Sequence, residues 1–515
     1  MQCSPGIVRG FALAICIGSI SGLAFGNPAI DELGSDPALG FNLISWWNFD
    51  NSATPNVDEG VAVWQNAVQT LYDADFREVS ISPVRYFNTT TFSIAQTSGQ
   101  GPLLTSIDAG VARAKQLGMR VTINPFVEPS GSSNWRGTFD PQGAAATTFW
   151  SDYQNYMVAV AQIAQAHHVD AMTIGTELKA MNDDANNASH WTSVINAVDN
   201  VYQGPLGYSS NWDDYRNANL TSAIWNNPKV DFIGIDSYFN NLLFDYFKYQ
   251  NPSLTTTQIT TMVNNATNPI QTYPDQAFTD LMTAAWNKML DVDSPTVSSG
   301  GHTYFNLDGI LPFAASLGKK VQFTEQGYLY FNNSSAAPQT TSGSVDTAEQ
   351  RMAFQGLINA LDGRGTTLQA ADIWQWYMDG SGGSQWNIDT TTPLDQPNNQ
   401  ALALLLQQFV GTATLPIAGD YNRDGVVDAQ DYVVWRSSLG KYVLQYSGAD
   451  GDGDGIIDAN DFDVWRSHFG NGTGGGAALA GVVPESGAGS SLAICGIFGV
   501  FSFRDFSSRS AARRG

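Results

Sequence analysis

The chain has 515 residues, enough for one large domain with smaller ones beside it. Its formal net charge of −24 makes nucleic acid and anionic membranes poor partners, whereas neutral polymers remain compatible with it. The chain has 14 tryptophans, more than a hydrophobic core alone requires, and tryptophan rings also stack on sugars. The three cysteines, Cys3, Cys16 and Cys495, lie in the terminal segments, so we expect no disulfide or thiolate site between them.

The first 26 residues are typical of an export signal. Arg9 precedes an apolar run over residues 11–23, and residues 24–26 fit a cleavage site with small residues at its ends. The run is too short for a comfortable transmembrane helix. We therefore predict a secreted or cell-surface bacterial protein from which residues 1–26 are removed.

Residues 27–411 are predicted to form one α/β domain, a (β/α)8 TIM barrel. Eight apolar, strand-like runs alternate there with helical patterns, which favours a parallel sheet covered by helices. An open doubly wound sheet is the alternative, but no glycine-rich phosphate loop follows the first strand. A long insertion over residues 239–306 is predicted to wall a substrate cleft. The predicted strands cover residues 41–46, 78–83, 120–125, 172–177, 206–212, 230–236, 320–325 and 373–377. The predicted helices cover residues 57–72, 103–117, 150–166, 191–201 and 400–409.

Two of the strand-like runs lead into a glutamate, Glu177 after residues 172–176 and Glu325 after residues 320–324. Barrel enzymes place their chemistry at the carboxyl ends of the strands. Cleavage of a glycosidic bond needs two carboxyl groups there: one protonates the leaving oxygen, and the other attacks or activates water. A buried ion pair with Lys179 or Arg85 is the structural alternative for either glutamate.

Aromatic and polar residues near the other strand ends are the predicted substrate contacts. Rings can stack on pyranose faces, while amide, carboxyl and guanidinium groups hydrogen-bond sugar hydroxyls. Tyr238 is also predicted to donate a hydrogen bond to Glu325 and keep it anionic. Packing at the strand ends or a structural salt bridge is the alternative role for these residues. The predicted substrate-binding residues are Trp46, Asn124, Trp135, Arg136, Asn211, Trp212, Asp236, Tyr238 and Trp376.

Five short motifs in chain order carry a family resemblance. They are Trp135-Arg136-Gly137, Gly175-Thr176-Glu177-Leu178, Asn211-Trp212, residues 231–238 and residues 323–328. The series resembles glycoside hydrolase family 113, endo-β-1,4-mannanases of a large retaining clan with catalytic glutamates on strands four and seven. The resemblance implies that Glu177 is the acid/base, that Glu325 is the nucleophile, and that a mannan-type polysaccharide is the substrate. Thr176 stands where many clan members carry the asparagine that holds the sugar 2-hydroxyl.

Two other functions stay open at this point. A clan member that cuts β-glucan or glucomannan would show the same aromatic residues. A non-catalytic carbohydrate-binding surface protein belongs to a different class, and the glutamates at both strand ends argue against it. The barrel sequence contains no metal motif, so catalysis is expected to need no cofactor.

After a linker at residues 412–419, a unit with a 30-residue period occurs twice within residues 420–470. Each copy has oxygen-bearing side chains at loop positions 1, 3, 5, 9 and 12 and glycine at position 6, the pattern of a calcium loop. Position 12 is aspartate, and one helix follows each loop. Two such units resemble a type I dockerin, which implies a small all-α module, structural Ca²⁺ and a cohesin partner. The predicted calcium ligands are Asp420, Asn422, Asp424, Asp428, Asp431, Asp450, Asp452, Asp454, Asp458 and Asp461.

The remaining chain is predicted to be a glycine-rich linker, residues 471–482, and a tail, residues 483–515. The tail combines Val483-Pro484-Glu485-Ser486, an apolar stretch over residues 492–503 and a basic end. That order resembles the bacterial C-terminal sorting signals that exosortases process, and it implies attachment to the cell surface. It departs from that pattern at Ser486 and in the shortness of the apolar stretch. A disordered terminus is the alternative.

Overall fold

The computed structural model describes residues 36–46, 59–73, 76–95, 101–267, 276–292, 297–299, 302–304, 309–329, 331–338, 343–377, 388–389, 418–422, 426–440, 449–452 and 457–471. Several predictions fall outside these residues. They concern the export signal, the helix at residues 400–409, the C-terminal tail, nearly all of both linkers, and Asp424 and Asp454. Within the described part of the chain, no helix is both long and apolar enough to span a membrane.

Eight parallel strands close into a barrel. Each strand pairs with the next in chain order, and the first also pairs with the eighth, which closes the sheet. The predicted barrel is therefore confirmed, and the open doubly wound sheet is excluded. The strands are β1 (Ala38–Ile44), β2 (Glu78–Ser82), β3 (Arg120–Ile123), β4 (Ala171–Thr176), β5 (Leu206–Asn211), β6 (Phe232–Asp236), β7 (Lys320–Gln326) and β8 (Leu368–Tyr377).

The strands are buried on both faces, which explains why they read as apolar runs rather than alternating patterns. Every residue of β1, β2, β4, β5 and β6 is buried. Helices cover the outer face of the barrel and complete the α/β alternation. The longer helices are Glu59–Asp73, Leu104–Gln116, Ala144–Ala166, Ala188–Asp199, Leu242–Gln250, Thr256–Thr267, Gln276–Asp291, Ile310–Ser316 and Thr347–Leu361. Short helical turns cover Arg136–Thr138, Lys179–Asp183, Ala185–Asn187, Ala218–Leu220 and Thr221–Trp225.

Two strands continue beyond the carboxyl end of the barrel as a small side sheet. Val84–Asn88 follows β2 after Pro83, and Phe126–Ser130 follows β3 after Pro125; these two extensions pair in parallel. Proline has no N–H to give to a ladder, so each proline marks the place where barrel pairing stops. Ile94–Ala95 adds a third, antiparallel strand. The side sheet therefore stands directly above the strand ends where chemistry is expected.

The insertion at residues 239–306 contributes to the outer layer of the barrel. Trp286, on its last helix, is fully buried and packs on Phe239 and Phe323. The indole nitrogen of Trp286 also donates to the Tyr328 hydroxyl at 2.8 Å. Val297–Ser299 and His302–Tyr304 form an antiparallel pair, and Ile388–Asp389 adds a ninth strand beside β8. Trp286 thus links the insertion to β7, and the role of the insertion as the wall of a substrate cleft stays a prediction.

The repeated unit near the carboxyl end contains two helices of the same length, Ala429–Ser438 and Ala459–His468. Each begins with a capping box, in which the cap side chain and the third helical side chain exchange hydrogen bonds with the backbone. The indole nitrogens of Trp435 and Trp465 donate to the backbone oxygens of Asp458 and Asp428, so each half of the unit holds the other. Among the described residues of the unit, the buried apolar side chains are Tyr421, Val427, Trp435, Ala449, Ile457 and Trp465.

Candidate active site

The carboxyl ends of β4 and β7 place Glu177 and Glu325 at one end of the barrel, where they are 6% and 4% exposed. Glu177 has a φ of +51°, and its N–H donates to the backbone oxygen of Ser209 on β5 at 2.8 Å. Gly175, two residues earlier, has a φ of +148°, and a Cβ there would overlap the Tyr153 hydroxyl. The backbone at the end of β4 therefore requires glycine at position 175.

Three donors hold the carboxyl group of Glu177. Oε2 accepts from Trp135 Nε1 at 3.0 Å and from Arg136 Nη2 at 2.6 Å, and Oε1 accepts from Asn211 Nδ2 at 2.9 Å. Asn211 ends β5, and the other two donors come from the loop after the side-sheet strand Phe126–Ser130. Because both carboxyl oxygens of Glu177 accept hydrogen bonds, the orientation of this carboxyl group is fixed.

Glu325 has a different environment. Its Oε2 accepts from the Tyr238 hydroxyl at 3.0 Å, which is the predicted contact. Its Oε1 accepts no hydrogen bond within the described residues and lies 4.0 Å from Arg136 Nη2. Burial, followed by the neighbouring Asp236 and Glu177, raises the pKa of Glu325 well above its usual value, while Arg136 and Tyr238 act to lower it. The hydrogen bond from Tyr238 therefore forms as predicted, but burial has the larger effect on the pKa of Glu325.

The two glutamates lie close together. Arg136 Nη2 is 2.6 Å from Glu177 Oε2 and 4.0 Å from Glu325 Oε1, so these two oxygens can be no further apart than the sum of those distances. Carboxyl pairs are about 5–5.5 Å apart in retaining glycosidases and about 6.5–9.5 Å apart in inverting ones. The greatest possible distance between these two oxygens lies at the lower end of the inverting range, so the geometry favours a retaining pair.

Residues 64–271 match the model of Glycoside Hydrolase Family 113, and this span contains Glu177, Arg136 and Tyr238. The protein is a glycoside hydrolase. A comparison with curated proteins gave no match to the hydrolase.

The solved structures to which the hydrolase is similar include three mannanases. The family 113 β-mannanase from Alicyclobacillus acidocaldarius is 15% identical, with a TM-score of 0.45, and the alignment covers 74% of this chain and 97% of that one. The endo-β-1,4-mannanase from Thermotoga petrophila is 10% identical, with a TM-score of 0.43 and coverage of 74% and 78%. The endo-1,4-β-mannanase from Rhizomucor miehei is 9% identical, with a TM-score of 0.40 and coverage of 73% and 95%.

The ion pairs considered as the structural alternative do not form in the hydrolase. The ion pair of Lys179 is with Asp213, at 2.5 Å. The Arg85 guanidinium donates to the backbone oxygens of Val84 and Pro102. The cation of the site is Arg136 instead.

A cluster of rings lies beside Arg136. The guanidinium carbon of Arg136 stands 4.6 Å from the centre of the Phe126 ring, and Phe126 in turn contacts Trp46 and Trp374. Trp46 and Trp374 are partly exposed and lie 6.3 Å apart. Trp46 therefore lies beside the residues around Arg136, and its contact with substrate stays a prediction; the sequence did not single out Trp374 or Phe126. Trp212, also partly exposed, packs on Phe239.

The prediction that Trp376 contacts the substrate is wrong. It is fully buried and packs edge-on against Phe41 in the barrel core, so it offers no face to a sugar. The register explains the error: Phe41 pairs with Ile373 and Leu43 pairs with Trp376, so β8 has one more residue than β1 over this interval. An extra residue in a strand changes which side chains share a face. Trp374 consequently lies beside the site, and Trp376 does not.

Asn124 and Asp236 also differ from prediction, because both are fully buried inside the barrel. Asn124 Oδ1 accepts from the hydroxyls of Thr173 and Thr176 at 2.6 and 2.9 Å. Asp236 Oδ1 accepts from the hydroxyls of Ser209 and Thr324 at 2.7 and 2.8 Å. Burial, followed by Glu177, raises the pKa of Asp236 well above its usual value. The side chains of Asn124 and Asp236 thus hold neighbouring strand ends together, and neither is exposed to a substrate outside the barrel.

Removing the Tyr238 hydroxyl is expected to shift the pH dependence of the hydrolase. The bond to Glu325 lowers the pKa of that glutamate, so Tyr238→Phe should raise it further. Glu325 would then ionise only at higher pH, and the acid limb of kcat/KM should move to higher pH by about one unit. Measuring kcat/KM from pH 4 to 9 for both proteins checks this. A limb that stays in place or moves to lower pH would show that Tyr238 does not act on Glu325.

The second candidate site lies in the repeated unit. Carboxylate oxygens of Asp450, Asp452 and Asp461 lie within 4.8 Å of one another. Asp461 Oδ1 accepts from the backbone N–H groups of Gly451 and Asp452, which draws the start of the loop to its end. The first loop repeats this arrangement, since Asp431 Oδ1 accepts from the N–H groups of residues 421 and 422. The atoms that could coordinate a metal ion here are all carboxylate oxygens, which fits a hard cation such as Ca²⁺.

Proposed function

We propose that this hydrolase is a secreted, retaining endo-β-1,4-mannanase that cleaves mannan-type polysaccharides by double displacement. The observation that carries the proposal is the arrangement of Glu177 and Glu325 at the ends of β4 and β7, both within 4.0 Å of the Arg136 guanidinium. Two close carboxyl groups with different hydrogen-bond partners are what double displacement requires.

In the first step Glu177 gives its proton to the glycosidic oxygen while a Glu325 oxygen attacks the anomeric carbon. The bond to the leaving sugar breaks, and a glycosyl ester forms on Glu325. In the second step Glu177 takes a proton from water, the water oxygen attacks the anomeric carbon, and the ester bond breaks. Glu325 Oε1, which accepts no hydrogen bond within the described residues, is the oxygen assigned to the attack.

The residues around the pair have distinct tasks in this mechanism. Tyr238 donates to Glu325 Oε2 and so stabilises the carboxylate that must leave in the second step. Trp135, Arg136 and Asn211 keep the Glu177 carboxyl group aimed at the leaving oxygen. Because burial raises the pKa of Glu325, the mechanism should fail at low pH, where this nucleophile is protonated.

The choice of mannan rests on the five sequence motifs that resemble family 113. The partly exposed Trp46 and Trp374 beside Arg136 supply faces that suit pyranose rings. The test is hydrolysis of linear β-1,4-mannan, glucomannan and β-1,4-glucan, followed by separation of the products. Mannan should be cut fastest, with oligosaccharides of mixed length released from the start. Faster release from β-1,4-glucan, or release of single sugars only, would overturn the assignment.

The other segments are assigned roles in delivery. Residues 1–26 direct export, and the tail at residues 483–515 directs attachment to the cell surface. The repeated unit, residues 420–470, binds two structural Ca²⁺ ions and docks on a cohesin module. The oxygen cluster of Asp450, Asp452 and Asp461 supports the calcium part of this proposal. Catalysis itself uses no metal in this scheme.

A further inference from the structure

We propose that Glu128, which the sequence gives no reason to select, is a positioning residue that fixes Arg136 between the two catalytic glutamates. The inference rests on the proposed function of Glu177 and Glu325. Glu128 would be a third carboxyl group at the site, and the side sheet would be the element that positions it.

The side sheet presents a ring and a carboxylate to the same guanidinium. Phe126 and Glu128 are two residues apart on one strand, so their side chains share a face. The Arg136 guanidinium stands 4.6 Å above the Phe126 ring, and its Nη1 donates to Glu128 Oε1 at 2.5 Å. The register pairs Phe126 with Val84 and Glu128 with Tyr86, which holds this strand against its neighbour.

The remaining donors of Arg136 are directed at β4. Nε donates to the backbone oxygen of Thr176 at 3.2 Å, and Nη2 donates to Glu177 at 2.6 Å. With Glu128 on Nη1, the planar guanidinium is held on three edges and on one face, so it has little freedom to rotate. Nη2 is thereby kept 4.0 Å from Glu325 and bonded to Glu177.

The charge of Glu128 matters as well as its position. Arg136 is 8% exposed, and burial alone would lower its pKa. Glu128 is the largest of the effects that raise it, ahead of Glu177 and Glu325. Burial raises the pKa of Glu128, while Arg136 acts to lower it and Glu177 to raise it. Glu128 and Arg136 thus stabilise each other's charged form next to two catalytic residues whose charge changes during the reaction.

The experiment compares Glu128→Ala, Glu128→Gln and Val127→Ala with the unmodified protein. Val127 is a buried apolar residue on the same strand, pointing to the opposite face, and it is the matched control for loosening the side sheet. Glu128→Ala should lower kcat by about 10- to 100-fold with little change in KM, because a misplaced Arg136 misaligns Glu177. Glu128→Gln keeps an acceptor but loses the negative charge, so it should lose less activity and shift the acid limb of kcat/KM to lower pH.

Two results would overturn the proposal: a wild-type kcat and pH profile in Glu128→Ala, or an equal loss of kcat in Val127→Ala. Crystal structures of the unmodified protein and Glu128→Ala supply a readout that needs no activity. The guanidinium of Arg136 should leave Glu177 Oε2 in the variant, and an unchanged position would reject the proposal even if the polysaccharide assignment were wrong. Failure of the unmodified protein to cut any polysaccharide would instead reject the proposed function.

Discussion

Replacing Glu325 with alanine should abolish hydrolysis, with a loss of roughly 10⁴-fold or more, the scale seen when a catalytic nucleophile is removed. The glycosyl ester cannot form without this carboxylate. Glu177→Ala should lose about 10²–10⁴-fold on polysaccharide, the usual contribution of a general acid. On aryl glycosides with good leaving groups its loss should be much smaller, because those leaving groups need little protonation.

Added azide separates the two roles. In Glu177→Ala the ester still forms on Glu325, and azide can attack it without a general base, so a β-glycosyl azide should accumulate. In Glu325→Ala no ester forms, and azide should not restore a β-configured product. Glu325→Gln, which preserves the volume of the side chain, controls for collapse of the site. A β-azide from Glu325→Ala and none from Glu177→Ala would reverse the two assignments.

Removing calcium is expected to unfold the repeated unit while hydrolysis continues. Residues 420–466 contain ten Asp and only four Arg or Lys, so without cations the carboxylates repel one another. Asp461 also closes its loop by accepting from the N–H groups of Gly451 and Asp452. Treatment with a chelator should therefore lower the near-ultraviolet dichroism contributed by the rings around Trp435 and Trp465. The rate on mannan should stay within about two-fold, because the proposed mechanism uses no metal.

Variants of the repeated unit sharpen this test. Asp424→Ala, Asp454→Ala and Asp461→Ala should weaken calcium binding, since each removes a predicted ligand. Asp463→Ala is the matched control: its side chain is 62% exposed and pairs with Arg466 on the helix surface. Calcium binding should be unchanged in that control. Loss of hydrolysis on chelation, in protein that remains soluble, would contradict the division between a catalytic barrel and a calcium-binding unit.

The barrel could be predicted because its strands are buried on both faces and appear as apolar runs. The glutamates at the ends of β4 and β7 could be found for the same reason, since a charged residue ending such a run is conspicuous. Tyr238 and Asn211 also contact these glutamates as neighbours at strand ends. These features depend on local sequence and on the order of the strands alone.

The features that could not be predicted depend on strand register and on how deeply a side chain is buried. An extra residue in β8 turns Trp376 into the core and leaves Trp374 beside the site, and no local pattern marks that bulge. Asn124 and Asp236 stand at strand ends in the sequence, yet their side chains point into the barrel. Glu128 lies on a short strand beyond β3, where its contact with Arg136 appears only after the loop folds back.

The raised pKa of Glu325 could not be predicted from the sequence either. The hydrogen bond from Tyr238 is a pairwise contact and can be anticipated from neighbouring strands. The opposing effect comes from burial and from Asp236 and Glu177 together, which depends on the three-dimensional packing of three strands. A raised pKa at the expected nucleophile makes the pH dependence of the reaction an informative property of this protein.

The most direct test of the account is the configuration of the first product. Hydrolysis of a β-1,4-linked mannan oligosaccharide can be followed by ¹H NMR in the first minutes, before the sugar anomers interconvert. Double displacement through Glu325 predicts that the β-anomer appears first and that the α-anomer grows in later by mutarotation. First appearance of the α-anomer would mean a single displacement by water and would contradict the assignment of Glu325 as a nucleophile.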